Sequence, residues 1–274
     1  MSNTPDPQSD IQGFAKRIRA HALRMVHAVN ASHIGSCLSM ADILAVLYTE
    51  VLRLDPTHPA NPDRDRFILS KGHATAILYA ALAERGFFPA AELETYCRNG
   101  SALTGHVSHG VPGVEASTGS LGHGLPMAVG MAIGLRADGR KSRVVCLLSD
   151  GECDEGSNWE AILFAPHHRL DNLIAIVDFN KIQSFGRVAE VLNLDPLADK
   201  WRAFGWHVLE LDGHDIGALR GAFSKIPTVA GKPTVIIAHT VKGRGVSFME
   251  DRLEWHYKSP NPDQLAQALK EIGA

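Results

Sequence analysis

Two oxygen-bearing side chains follow apolar, β-branched runs that each predict a buried strand. Asp150 lies two residues after the run 144–148, and Asn180 lies three residues after the run 173–177. Because the carboxyl ends of parallel strands meet at one edge of a sheet, we expect the two side chains to lie close together. Mg²⁺ prefers oxygen ligands and often takes only one or two from protein, with phosphate oxygens beside them. The pair therefore predicts a metal-held diphosphate, with the carbonyl of Ile182 as a third protein ligand.

Each of the two residues also has an ordinary structural interpretation. An aspartate after a strand commonly caps the helix that follows, and an asparagine commonly closes an Asx turn. Taken alone, neither position distinguishes a ligand from a cap or a turn. Their joint occurrence at two strand exits, with Ile182 nearby, favours the metal.

A glycine-rich turn precedes a predicted helix of small residues. It is the segment 118–124, which reads Thr-Gly-Ser-Leu-Gly-His-Gly. Such a turn brings main-chain N–H groups and the positive end of a helix dipole close to a ligand, which suits phosphate. Its spacing differs from the GxGxxG of dinucleotide-binding folds. Loops also use glycine simply to turn, so the cluster by itself does not distinguish the two.

Histidines form the third candidate group. Four of the 14 lie in glycine-rich or polar turns, namely His33, His73, His106 and His256. Loops at strand ends often build active sites, and imidazole transfers protons near pH 7 and bonds to hydroxyls or phosphate. A single loop histidine is usually a surface residue, so each is a candidate for chemistry rather than an assigned ligand.

Strands that alternate with helices must position these residues. Apolar runs predict strands at 67–69, 144–148, 173–177, 207–211 and 234–238. Longer helical patterns predict helices at 11–29, 40–51, 74–85, 122–136, 159–168, 195–204, 216–224 and 262–272. The alternation predicts βαβ units and an α/β fold, a doubly wound parallel sheet with helices on both faces.

Composition excludes several classes of partner. The chain has 274 residues, 45% hydrophobic and 21% charged, with a formal charge of −3. This balance is ordinary for a soluble globular protein and indicates neither nucleic acid nor a membrane surface as partner. We expect a disordered tail at 1–10 and a single domain at 11–274. The four cysteines form no CxxC pair, which favours free thiols and a cytoplasmic location.

A basic cluster occupies the first predicted helix. Apolar residues alternate with its members, so we interpret the cluster as the solvated face of an amphipathic helix rather than an anion site. Its members are Lys16, Arg17, Arg19, His21 and Arg24.

Taken together, these segments resemble the N-terminal half of transketolase, a thiamine diphosphate enzyme. The similarity runs from about residue 15 to residue 258, and it depends on several motifs in the same order, since no single motif is specific. The matching motifs are Ser32-His33-Ile34-Gly35, Ser70-Lys71-Gly72-His73-Ala74, Gly105-His106, Thr118 to Gly124, Asp150-Gly151 with Glu155-Gly156, Asp178 to Ile182, Lys242 to Gly245 and Trp255-His256.

The resemblance implies a role for each motif. Asp150, Asn180 and the carbonyl of Ile182 would bind Mg²⁺ or Ca²⁺ against the cofactor diphosphate. Histidines of the sugar channel would orient hydroxyls and move protons as catalytic residues, namely His33, His106 and His256. The remaining implied cofactor contacts are His73, Gly119, Ser120, Leu121, Gly122, Gly151, Glu155 and His256.

The same resemblance implies that a second polypeptide completes the enzyme. Transketolases continue with a pyrimidine-binding domain, which supplies from the other subunit the glutamate that activates the cofactor, whereas this chain stops at Ala274. We therefore expect the diphosphate-binding subunit of a split transketolase, active only with a separately encoded C-terminal subunit in an α2β2 assembly. The expected reaction transfers a two-carbon ketol unit from a ketose phosphate to an aldose phosphate.

Other functions stay open. The α subunit of a 2-oxo acid dehydrogenase or decarboxylase shares the metal motif, although the four loop histidines and the segment Lys242 to Gly245 favour transketolase. A split transketolase for a sulfonated or branched sugar is equally compatible, because Ile34, Val107 and His123 depart from the usual family residues. Retained metal and histidine positions disfavour a non-catalytic paralogue, and the absent fingerprint disfavours a Rossmann dehydrogenase.

Overall fold

A five-stranded parallel sheet forms the centre of the computed structural model, which describes residues 10–274. The strand order is β1-β2-β3-β5-β4. Each predicted strand is present and is one or two residues longer than its apolar run. Strand β1 begins one residue earlier, at Arg66, and the others continue past the run, as at Ser149, which pairs with Asp178. The strands are β1 (Arg66–Leu69), β2 (Val144–Ser149), β3 (Leu173–Phe179), β4 (His207–Asp212) and β5 (Thr234–His239).

Helices cover both faces of the sheet, so the predicted doubly wound α/β fold is confirmed. Strand side chains such as Val145 and Ile174 pack on one side against α1, α3, α4 and α9. Their neighbours Val144 and Ala175 point the opposite way, toward α5, α6 and α8. The helices are α1 (Ile11–Ala28), α2 (Ile34–Ser39), α3 (Ala41–Val46), α4 (Thr75–Glu84), α5 (Gly124–Ala137), α6 (Gly156–His167), α7 (Val188–Val191), α8 (Leu197–Ala203), α9 (Ile216–Phe223) and α10 (Pro262–Ile272). No helix within residues 10–274 is both long and apolar enough to cross a bilayer.

Two short helices lay outside the sequence-based prediction. Helix α2 is buried at every position, so its sequence has no amphipathic stripe to reveal it. Helix α7 has only four residues. The predicted helix at 40–51 is α3 followed by a π-helical turn at Leu47–Val51. The expected tail lies outside the described residues except for Asp10, which caps α1 by accepting from the Gly13 N–H at 2.9 Å. The single domain at 11–274 stays a prediction.

The interpretation of the basic cluster on α1 is wrong for one member. Lys16 and Arg24 are exposed, as expected. Arg19 is only 7% exposed and pairs with Asp42 of α3. A charged residue this deeply buried needs a partner, and the partner lies outside the local sequence.

Asp65 joins the starts of the two strands that lead to the site. Its buried carboxylate accepts from the Arg53 guanidinium at 2.8 Å and from the Arg143 N–H and guanidinium at 2.8 and 2.6 Å. Burial alone would raise the pKa of Asp65, but the bonds from the two arginines outweigh it and lower the pKa to about 2. This pairing ties the residue before β1 to the residue before β2.

We expect Asp65→Ala to lower the free energy of unfolding by about 2 kcal/mol, because the charged hydrogen bonds from two partly exposed guanidinium groups to a buried carboxylate are lost. Since the folded pKa is depressed, the stabilisation is complete above the unfolded pKa of about 3.9 and is lost as pH falls toward 2. Urea titrations at pH 7 and below pH 4 measure it. The control is Asp63→Ala, whose exposed pair with Arg140 contributes at most about 1 kcal/mol. Equal losses for the two variants would contradict the role of Asp65.

Candidate active site

The two oxygen-bearing side chains lie together, as expected. Asp150 follows β2 and Asn180 follows β3, and both line a cavity of about 120 Å³ at the carboxyl edge of the sheet. Other implied site residues lining this cavity are His73, Leu121, Gly151, Ile182 and His256. Ser36, Ser149, Gln183, Ser184 and Lys242 complete the lining.

The ordinary structural contacts of both residues are also formed. Asp150 accepts through Oδ1 from the Gly151 N–H at 2.8 Å, and its second oxygen accepts from the Lys181 N–H. Asn180 accepts from the Ile182 N–H at 3.2 Å, closing an Asx turn. These bonds orient the side chains and leave each oxygen able to bind a further ligand, because each oxygen has a second lone pair. The cap and the turn are therefore compatible with metal binding.

The donor set fits a hard divalent cation. It combines a carboxylate, an amide oxygen and the carbonyl of Ile182, which already accepts from the Lys242 ammonium at 2.9 Å. Burial, reinforced by the charge of Asp178, raises the pKa of Asp150 to about 7, so a nearby cation would favour its ionised form. Within residues 10–274, no group of three His, Cys, Asp or Glu side chains could hold a metal, so a cation here would depend on one carboxylate together with amide, carbonyl and ligand oxygens.

All four candidate histidines converge beside this cavity. The ring centroid of His33 lies 4.9 Å from that of His73, 6.1 Å from that of His106 and 5.0 Å from that of His256. His73 and His256 are 5.6 Å apart. The four come from the turn before α2, the short helix after β1, the loop before the glycine-rich turn and the segment before α10. His106 is the exposed member, on the open side of the cluster.

Burial keeps the inner histidines neutral. It lowers the pKa of His33 to about 4 and that of His256 to about 3, and nearby charges act in the same direction. The pKa of His73 also lies well below its usual value, chiefly through burial. A neutral imidazole both donates and accepts hydrogen bonds, which suits hydroxyl and phosphate groups.

The glycine-rich turn lies against the histidine cluster. A Cβ on Gly119 would come 2.9 Å from the ring of His106, and Gly122 has φ +82°. Leu121 reaches the cavity, whereas Gly119, Ser120 and Gly122 do not line it. Glu155 packs its Cβ toward Gly122 at the entrance to α6, also outside the cavity.

Three buried charged residues support the site, and sequence reasoning gave them no role. Lys71 forms an ion pair with Asp178 that is fully buried on both sides. The Glu152 carboxylate accepts from the Ser70 hydroxyl and from the Gly122 N–H, the latter at 3.0 Å, so it ties the glycine-rich turn to the end of β1. Lys71 and Asp178 lie inside motifs that match the transketolase family, and this match is the only indication of their role in the sequence. Glu152 sits in an acidic stretch that is indistinguishable from a surface loop in sequence.

Lys242 is the cation closest to the candidate ligands. It is buried, and its ammonium donates to the Ile182 carbonyl and to Nδ1 of His256, both at 2.9 Å. Burial lowers the pKa of Lys242 to about 8. The sequence had marked Lys242 only as part of a motif.

A doubly wound sheet with hard oxygen donors, a buried lysine and neutral histidines at one edge is typical of a domain that binds a diphosphate cofactor. The chain belongs to the family described as transketolase, thiamine diphosphate binding domain, whose model matches residues 11–274. The domain is thus a thiamine diphosphate-binding one, and the resemblance stated from the motifs is confirmed.

Named relatives cover most of the chain. It is 46% identical to one of the subunits of the apulose-4-phosphate transketolase of Actinobacillus succinogenes, with 96% of each chain covered. It is 41% identical to the 6-deoxy-6-sulfo-D-fructose transketolase subunit SqwG of a Clostridium species, with 97% of this chain and 98% of the relative covered. The transketolase of Leishmania mexicana superimposes with a TM-score of 0.91 at 32% identity over 97% of this chain. The chain spans only 41% of that transketolase.

We expect Asp150→Asn to weaken Mg²⁺-dependent binding of thiamine diphosphate by about 100-fold, because a hard anionic ligand is lost. Calorimetry on the chain with its complementary subunit, with and without Mg²⁺, measures the change. Without a cation, burial disfavours the ionised form of Asp150. The free energy of unfolding of the wild type should therefore fall as pH rises from the unfolded pKa of about 3.9 through the folded pKa of about 7, and that of the variant should fall less. Glu160→Gln, exposed on α6, is the control. Unchanged affinity would exclude Asp150 as a ligand.

Proposed function

We propose that this chain is the diphosphate-binding subunit of a split transketolase that transfers a two-carbon ketol unit from a ketose phosphate to an aldose phosphate. The observation that supports the proposal most is the convergence of four histidines beside Asp150 and Asn180. A metal and diphosphate site alone would suit many reactions. Neutral imidazoles next to it suit a polyhydroxylated substrate.

Each side chain has a place in this proposal. Asp150, Asn180 and the Ile182 carbonyl would bind Mg²⁺ or Ca²⁺, whose charge offsets that of the diphosphate. His73, His256 and Lys242 would bind diphosphate oxygens. Other parts of the cofactor would be approached by Gly151, Glu155 and the turn of Gly119, Ser120, Leu121 and Gly122. When bound, thiamine diphosphate supplies the nucleophilic carbon and the electron sink for the carbon–carbon chemistry.

Three histidines would handle the sugar. His33 and His256 lie 5.0 Å apart between centroids, and His106 lies 6.1 Å from His33, so one substrate chain can reach all three. The low pKa of His33 keeps its ring neutral at neutral pH, with one unprotonated nitrogen, whereas Nδ1 of His256 already accepts from the Lys242 ammonium. His33 can therefore accept a proton from a substrate hydroxyl as the carbon–carbon bond breaks, and the Nε2–H of His256 can donate a hydrogen bond to one.

The proposal includes a partner. Relatives of similar length are named as transketolase subunits, and the chain spans about two fifths of a solved transketolase. A separately encoded C-terminal subunit with the pyrimidine-binding domain would complete each site, in an α2β2 assembly in the cytoplasm. Sugar phosphates, rather than nucleic acid or membrane, would be the remaining ligands.

A second class of sugar is also a candidate for the donor. The two bacterial relatives are named for apulose 4-phosphate and for 6-deoxy-6-sulfo-D-fructose. A branched or a sulfonated ketose is therefore a specific alternative to a common ketose phosphate, with the same reaction and the same residues.

Reconstitution with the complementary subunit tests the function. We expect ketol transfer to ribose 5-phosphate from one donor of a panel holding xylulose 5-phosphate, apulose 4-phosphate and 6-deoxy-6-sulfofructose, and little or none from either polypeptide by itself. Coupled detection of the aldose product measures transfer, and pyruvate serves as the negative donor. Robust turnover by the isolated chain, or turnover with pyruvate only, would contradict the proposal.

We expect His106→Ala to lower kcat by about 100-fold while the Kd for thiamine diphosphate changes less than about threefold, because His106 lies on the substrate side of the cluster. Steady-state kinetics and calorimetry on the reconstituted enzyme separate the two effects. His109→Ala is the matched control, since His109 is exposed on the same loop and bonds only locally to Ser117. Equal losses in kcat and cofactor affinity would place His106 at the cofactor instead.

A further inference from the structure

A buried charge network lies behind the site, on the side of α1 and α3. Both terminal nitrogens of Arg19 donate to the Asp42 carboxylate, at 2.9 and 2.7 Å. The same carboxylate contacts Nδ1 of His214 at 2.8 Å, from the turn between β4 and α9. Burial acts to raise the pKa of Asp42, but the bonds from His214 and Arg19 lower it to about 2. Asp42 is therefore an anion that can only accept hydrogen bonds.

The second ring nitrogen of His214 faces the main chain. The Val241 N–H lies 2.9 Å from Nε2 of His214, and a main-chain N–H can only donate. Nε2 must therefore be unprotonated, and the proton lies on Nδ1, where it is donated to Asp42. The two partners thus select one neutral tautomer of His214, because a carboxylate on one nitrogen and an N–H on the other admit no other arrangement.

Val241 stands directly between two residues that reach the site. On one side, the Thr240 hydroxyl donates to Asp178. On the other, the Lys242 ammonium donates to the Ile182 carbonyl and to His256. His214 therefore binds the Val241 main chain, whereas the side chains of the two neighbouring residues, Thr240 and Lys242, reach the site. A shift of the Val241 amide would move the adjacent Lys242, and it would strain the two 2.9 Å hydrogen bonds that hold the buried Lys242 ammonium.

We propose that His214 is a positioning residue, held as the Nδ1–H tautomer by Asp42, that fixes the main chain at Val241 and so directs Lys242 toward the cofactor diphosphate. The binding of Lys242 to the diphosphate rests on the proposed function, whereas the tautomer of His214 and its hydrogen bond to Val241 do not.

Two amide substitutions separate positioning from mere packing. His214→Gln places an amide oxygen near the ε position and keeps an acceptor for the Val241 N–H. His214→Asn places its amide near the δ position, so it keeps a donor for Asp42 but offers nothing to Val241. Both remove the imidazole, so a role in packing alone would make them equivalent.

Calorimetry of thiamine diphosphate with Mg²⁺, on the chain assembled with its complementary subunit, measures the consequence. We expect His214→Asn to weaken binding by about 10- to 100-fold and His214→Gln by less than about threefold, as for residues that orient a ligand-binding group. His58→Asn is the control, since His58 also pairs through Nδ1 with an aspartate but is 75% exposed. Equal losses for Asn and Gln, or no loss for Asn, would overturn the proposal.

A second measurement needs no enzymatic activity and is made on the wild-type chain, with a variant used only to assign the signal. Nitrogen NMR of the wild-type chain labelled with ¹⁵N-histidine reports which ring nitrogen carries the proton, and the signal missing from His214→Gln assigns His214. We expect a protonated Nδ1 and an unprotonated Nε2. An Nε2–H tautomer or an imidazolium would overturn the positioning role even if transketolase activity is found. The expected tautomer with no transferase activity would instead count against the proposed function.

Discussion

The buried ion pair between Lys71 and Asp178 is the interaction on which the site depends. Both side chains are fully buried, and the carboxylate also accepts from the hydroxyls of Ser39 and Thr240. These residues come from α2, the segment after β1, strand β3 and the segment after β5. Removing a charged partner from such a pair leaves an uncompensated buried charge, at a cost of about 3–5 kcal/mol. One carboxylate therefore joins the four segments that bring His33, His73, Asn180 and Lys242 to one edge of the sheet.

Burial shifts the pKa values of the acidic and the basic groups of the site in opposite directions. It raises the pKa of Asp150 and lowers those of Lys242 and the inner histidines, so both acidic and basic groups move toward their neutral forms. A nearby cation favours the ionised form of Asp150, and a nearby anion favours the charged form of Lys242. A metal bound to a diphosphate brings both charges together. The electrostatics therefore favour that combined ligand over either ion alone.

Much of the site was accessible from local sequence because parallel strands end at a common edge. Asp150 and Asn180 follow apolar runs, and that is enough to place them together. Arg19 shows where the reasoning fails. Its position on an amphipathic helix predicted a solvated side chain, but its partner Asp42 lies on another helix. Helix α2 was missed for a related reason, since an element buried on all sides has no polar face to give it a period.

The sequence by itself determined the α/β class, the five strands, their polar exits and the ordered motifs that indicate a thiamine diphosphate domain. These follow from the period of apolar residues and from residue types at strand ends, which are local properties of the chain. Only the tertiary structure decided that His33 and His256, 223 positions apart, lie 5.0 Å apart, and that His214 supports Val241. Contacts between distant segments depend on how the helices pack on the sheet, and local periodicity does not contain that information.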